Sequence, residues 1–241
     1  MFKDIVSSLM LISRIPLGFL RVKPENCQRA VIHFPIAGYA SFALWYTSFT
    51  VFRSVFHDNT IPAVLSLVIV YYFFNLFHFD GFLDSIDGLL SQKPKEDVLK
   101  IMKAGNIGPT ALFFGTIYLV LRVYLVSKIG IWDLLPVFVI SRWGMSFAAY
   151  ISKPAAETGL GSLIDFGKFG YIACSTIYLL PLFLTGKASL IGILIASVFF
   201  IDIIIAVAVE RRIGGLTGDN FGLINEVNEL MLMLIIFGVK P

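Results

Sequence analysis

Three aspartates and a histidine, Asp80, Asp84, Asp87 and His78, stand in the stretch HFDGFLDSIDGLLS (78–91), directly after a nearly unbroken apolar run. Residues four and seven apart on a helix share a face, so the carboxylates form an acidic stripe whose outer members lie about 10 Å apart along the axis. Carboxylates this close repel one another and are poorly hydrated beside a membrane. A divalent cation is the simplest neutraliser, and an all-oxygen donor set favours Mg²⁺ or Mn²⁺ over zinc. Gly81 and Gly88 flank the stripe and let a bulky ligand approach the backbone. His78 is placed to orient an aspartate or to touch substrate.

A second acidic group follows in RRIGGLTGDNFGLINEVNEL (211–230). Asp219 and Glu226 are seven apart and share a helix face, and Glu229 follows three residues later. Glu226 and Glu229 fall two to three turns inside an otherwise apolar helix, where a lone carboxylate costs several kcal/mol and requires a partner. Arg122 and Arg142, both inside apolar runs, are the candidate counter-charges, and Arg142 is equally suited to a substrate phosphate. Arg211 and Arg212 precede Gly215, Thr217 and Gly218, a flexible turn ahead of a helix start that could cradle a phosphate. The GLG of 159–161, with Gly159 and Gly161, is a weaker candidate of the same kind. Carboxylates able to carry Mg²⁺ beside phosphate-binding arginines suit Lewis-acid work on a pyrophosphate. The expected catalytic carboxylates are Asp84, Asp87 and Asp219, the expected metal ligands Asp80, Asp84, Asp87 and Asp219, and Glu226 is expected near substrate.

The elements that must position these residues are membrane helices. Of 241 residues 57% are hydrophobic and 15% charged, far from the globular norm. Apolar runs at 31–56, 61–77, 109–127, 131–151, 169–185, 188–209 and 221–239 approach or exceed spanning length, so the expected fold is all-α: a polytopic transmembrane helix bundle of about seven spans. The N-terminal MFKDIVSSLMLISRIPLGFL reads as a retained amphipathic helix on the membrane surface, because Asp4 and Arg14 interrupt its apolar stretch. A single integral membrane domain over 1–241 results, with 1–29 as the surface segment. Cys27 and Cys174 show neither a disulfide framework nor metal-ligand spacing.

Basic residues gather before the first span and in the loops holding Lys93 to Lys103, Lys153 and Lys168, and Arg211 and Arg212; only Arg53, Lys128, Lys187 and Lys240 fall on the other side. The positive-inside rule therefore places the N-terminus and the acidic motifs on the cytoplasmic face of the cell (inner) membrane. A formal charge of +3 is too small to suggest a nucleic-acid partner. The lipid bilayer is the expected partner surface, and a homo-oligomer is left open.

HFDGFLDSIDGLLS and GGLTGDNFGLINEVNEL together resemble the cobalamin synthase family, whose signatures are His-x-Asp-Gly-x-x-Asp-x-x-Asp-Gly and Gly-Gly-x-Thr-Gly-Asp with two following glutamates. Weaker echoes are LISRIP, HFPIAGY, SRWGMSFAAY and GLG, in the expected order along nearly the whole chain. The resemblance implies Mg²⁺-dependent transfer in which α-ribazole, or its 5′-phosphate, attacks the phosphorus of adenosylcobinamide-GDP and GMP leaves. It also implies metal on Asp80, Asp84, Asp87 and Asp219, with phosphate on Arg142, Arg211 and Arg212. Two places depart from the family pattern: KAGNIG (103–108) stands where Lys-Asp-Ser-Arg-x-Gly is usual, and Ala156 where an arginine is common. The alternatives are a CDP-alcohol or polyprenyl type of membrane transferase, whose own signatures are incomplete here, and a divalent-cation transporter, whose carboxylates would sit near mid-bilayer.

Overall fold

The computed structural model describes residues 1–22, 24–155 and 167–239. Among these residues the regular structure is helical, apart from one isolated bridge between Pro154 and Leu216. The helices are α1 (Phe2–Ile12), α2 (Phe34–Val55), α3 (Thr60–Val70), α4 (Leu76–Leu89), α5 (Lys95–Lys103), α6 (Pro109–Lys128), α7 (Leu134–Ile151), α8 (Lys168–Phe183), α9 (Ala188–Ile213) and α10 (Gly218–Val239).

Among the described residues, five helices are long and apolar enough to cross a membrane: Thr60–Leu89, Pro109–Lys128, Ile131–Ile151, Ala188–Ile213 and Gly218–Val239. The other two expected spans correspond to α2 and α8. With 22 residues α2 has the length, but Ser41, Thr47, Ser48, Thr50 and Arg53 dilute its apolar character. α8 is apolar but has only 16 residues. Large side chains such as Leu112, Val68, Phe200 and Ile204 are exposed on the bundle, as suits a surface facing lipid.

α7 lies at the centre, with 83% of its span buried, while only 28% of the α9 span is. α10 packs mainly on α4 and α7 and so links the aspartate helix to the core.

One boundary differs from the sequence reading. The second span does not end at Phe77; it runs on through the aspartate motif as one 30-residue helix, Thr60–Leu89. Gly81 and Gly88, expected to let a ligand approach the backbone, are instead filled contact points, Gly81 against Asp219 of α10 and Gly88 against Met102 of α5. Midway, residues Tyr71–Asn75 form a π-turn, which rotates the side chains that follow it. The N-terminal segment docks on this turn. The Arg14 backbone N–H donates to the Phe73 carbonyl at 2.7 Å, and its guanidinium lies 4.9 Å from the Phe77 ring centre.

Candidate active site

The two acidic motifs meet because α4 and α10 touch backbone to backbone. A Cβ added at Gly81 would lie 2.7 Å from the Asp219 carbonyl oxygen and 2.8 Å from its Cα, and one added at Gly222 would collide with the His78 carbonyl. Each helix presents hydrogen where the other comes closest. Asn220 extends the contact, its Nδ2 donating to Ser85 Oγ at 3.0 Å while its Oδ1 accepts from the Thr217 backbone N–H at 2.9 Å.

This crossing gathers the carboxylates at one end of the bundle. Asp80 is exposed, and Asp84, Asp87 and Asp219 are partly buried. The charges of Asp80, Asp219 and Asp87 all act on Asp84, and Lys103 at the end of α5 acts on Asp219. Among the described residues, no three His, Cys, Asp or Glu side chains are gathered closely enough to hold a metal ion as they stand. The donor chemistry nevertheless fits a hard divalent cation: oxygen-only carboxylates, mutually repelling, with one lysine acting on Asp219.

Asp87 is engaged differently. Its Oδ1 accepts from the Ala111 backbone N–H at 2.8 Å and its Oδ2 from the Gly108 N–H, so both oxygens serve the start of α6. Arg212 is also committed, to the backbone carbonyls of Ser91 and Lys93 (2.7 Å for Lys93) just beyond α4. Arg211 beside it is exposed. Gly214 ends α9 in the left-handed region at φ 89°, and its N–H donates to the Glu210 carbonyl. The next turn is stapled to the end of α7: the Leu216 N–H donates to the Lys153 carbonyl at 2.8 Å and the Ala155 N–H to the Leu216 carbonyl at 2.9 Å. Gly215 is pressed against Lys153 and Pro154, where a side chain has no room.

About two turns deeper lies a closed ion network. Glu229 pairs with Arg142 at 2.8 Å and with Arg122, and Glu226 lies 3.5 Å from Arg122. Glu226 also accepts from Tyr71 at 2.9 Å, from Tyr118 and from Asn75 Nδ2 at 2.8 Å, while Arg142 Nη2 donates to Asn75 Oδ1 at 2.9 Å. Two arginines and two glutamates balance in charge, and all four side chains are essentially inaccessible. The π-turn supplies Tyr71 and Asn75, α6 supplies Tyr118 and Arg122, α7 supplies Arg142, and α10 supplies both glutamates. His78 is buried between this network and the open aspartates, with no hydrogen-bond partner for Nε2.

The model of the family described as cobalamin-5-phosphate synthase matches residues 4–237. The chain belongs to that family. It is 38% identical over 224 residues to an adenosylcobinamide-GDP ribazoletransferase of Thermosipho melanesiensis, covering 92% of this chain and 93% of the relative. A ribazoletransferase of Fervidobacterium nodosum is 34% identical over 237 residues, covering 97% and 96%, and one of Thermosipho africanus is 33% identical over 239 residues, covering 98% and 99%. No solved structure matches the chain.

In this cobalamin-5-phosphate synthase family member the expected site residues separate into two groups. Asp80, Asp84, Asp219, Thr217 and Gly218 lie at the acidic end; Arg142 and Glu226 lie in the closed network, where Arg142 contacts Glu229 and Asn75, and Arg211 is exposed near the end of α9. Gly159, Gly161 and Ala156 lie outside the described residues. Sequence reasoning overlooked Asn75, Tyr71 and Tyr118, because neutral polar residues in apolar runs carry no charge signal. It also passed over Asp202 on α9, fully buried and accepting from Asn228 Nδ2 at 2.8 Å. A lone aspartate in the middle of α9 was itself the available signal.

Proposed function

We propose that the chain joins α-ribazole, or its 5′-phosphate, to adenosylcobinamide-GDP with release of GMP, at the acidic end of the bundle. The observation that carries this reading is the contact of Gly81 with the Asp219 backbone, which merges two acidic motifs into one carboxylate cluster. Asp80, Asp84 and Asp219 would hold Mg²⁺, which when bound supplies charge neutralisation at the pyrophosphate and stabilises the departing phosphate of GMP. Lys103, whose charge acts on Asp219, and the exposed Arg211 are suited to phosphate oxygens; Arg212 instead keeps the turn after α4 in place. An acceptor hydroxyl would form the new bond to phosphorus as the bond to the GMP oxygen breaks. The distribution of lysine and arginine supports an orientation with this end in the cytoplasm, on the side of nucleotide substrates, in the cell inner membrane.

A transport reading is less favoured by the geometry. A cation transporter needs open carboxylates at mid-bilayer, and Glu226 and Glu229 are closed by arginines and tyrosines. The test uses the purified full-length chain in detergent with adenosylcobinamide-GDP and α-ribazole, with and without Mg²⁺, followed by mass spectrometry. Product and GMP should appear only with Mg²⁺. Divalent-cation flux in liposomes without GMP release would overturn the reading.

A further inference from the structure

Helix α6 begins without a cap of its own. Its N-cap residue is Gly108, which has no side chain, and the first helical residue, Pro109, has no N–H. In most helices a Ser, Thr, Asp or Asn at the N-cap serves the N–H of the third helical residue, and a Glu or Gln there returns the favour to the N-cap N–H. Here one carboxylate from another helix does both. Asp87 Oδ1 accepts from Ala111, the third helical residue, and Oδ2 accepts from Gly108. The fit is close, for a Cβ at Gly108 would lie 2.8 Å from each carboxylate oxygen. Gly108 has φ −82°, a conformation open to any residue, so the demand for glycine there comes from Asp87 and not from the backbone.

We propose that Asp87 is a positioning residue that caps α6 from α4, and thereby holds the loop 104–108 across the mouth of the carboxylate cluster. The loop is bounded at one end by Lys103, whose charge acts on Asp219, and at the other by Gly108 on Asp87. It therefore runs from a lysine whose charge acts on the α10 aspartate to a glycine held by the α4 aspartate. The third aspartate of the motif works through this loop, and the metal proposed above, on which the loop's relevance to the reaction rests, is left to Asp80, Asp84 and Asp219. An aspartate is needed because an asparagine keeps one acceptor oxygen and turns the other position into a donor facing an N–H.

The test uses the full-length protein in detergent and two variants, Asp87→Asn and Gly108→Ala, the second of which displaces the carboxylate while keeping its charge. Hydrogen exchange of the metal-free protein, read by mass spectrometry over residues 108–111, should accelerate about tenfold in both variants, as for the loss of a helix cap. Mn²⁺ binding, followed by its electron paramagnetic resonance signal, should stay within about threefold of the parent in both, whereas Asp84→Asn weakens it at least about tenfold. In the transfer assay both variants should raise KM for the nucleotide substrate more than they lower kcat, since positioning of the loop is lost and the metal is not. Unchanged exchange at 108–111, or Mn²⁺ affinity in Asp87→Asn falling as far as in Asp84→Asn, would overturn the proposal. Should Asp84→Asn also keep its Mn²⁺ affinity, the metal reading falls, while the exchange data still decide whether Asp87 caps α6.

Discussion

The two carboxylate groups of this protein share helix α10 and behave in opposite ways. At the acidic end, Asp80, Asp84 and Asp219 act on one another with Lys103 as the cation acting on Asp219. About two turns deeper, Glu226 and Glu229 are enclosed by Arg122, Arg142, two tyrosines and Asn75. The deep group is neutral overall, its two arginines balancing its two glutamates; the outer one retains unbalanced negative charge. A buried network whose charges balance is costly to break, because removing one member leaves an uncompensated charge, whereas unbalanced negative charge is offset by a cation. The contrast teaches that an acidic residue in a membrane helix is read by its counter-charges and not by its depth alone.

The largest effect should come from breaking the deep group. Glu229→Gln leaves two buried guanidiniums to share one carboxylate, and removal of one member of a buried ion pair costs about 3–5 kcal/mol. Thermal unfolding in detergent should show a loss of that size, with expression reduced; a midpoint near that of the parent would mean the network contributes little to stability.

Breaking the outer group should do the reverse. Asp84→Asn should lower transfer on the order of a hundredfold or more while leaving the thermal midpoint unchanged or raised, since it relieves repulsion among like charges. Combined with Asp219→Ala, the loss should be far less than the product of the single effects, because residues acting on one metal form a unit. Multiplicative losses in the double variant would show that the two motifs serve separate purposes.

A smaller effect sharpens the link between the groups. Gly81→Ala forces the Asp219 backbone away from α4, and overpacking of this kind costs about 1–3 kcal/mol. Transfer should fall with Mg²⁺ affinity, and stability only modestly. A variant with parental Mg²⁺ dependence would show that the α4–α10 contact does not set the cluster.

Much of this arrangement is legible in the chain itself. The helical membrane class follows from the apolar runs, and the cost of lone charges inside spans makes Arg122 and Arg142 candidate counter-charges for the deep glutamates, with Arg142 equally suited to a phosphate until the structure pairs it with Glu229. The aspartate spacing predicts a shared helix face, and α4 provides it. The end of the second span was less legible, because the aspartates close the apolar run at Phe77, and the glycines read as room for a ligand serve close packing against α10 and α5.

What the sequence by itself determined is the inventory: which charges lie in or beside the membrane, in what order, and on which helix faces, since these depend on residue type and period alone. Only the tertiary structure decided their allegiances. It assigned Arg142 to Glu229, Arg212 to the carbonyls after α4, and Asp87 to the start of α6, because hydrogen bonds and ion pairs between residues far apart in the chain depend on which helices cross and how closely. That closeness is set by a side chain's absence, at Gly81 and Gly222, and a missing side chain acquires meaning only when its neighbour is known.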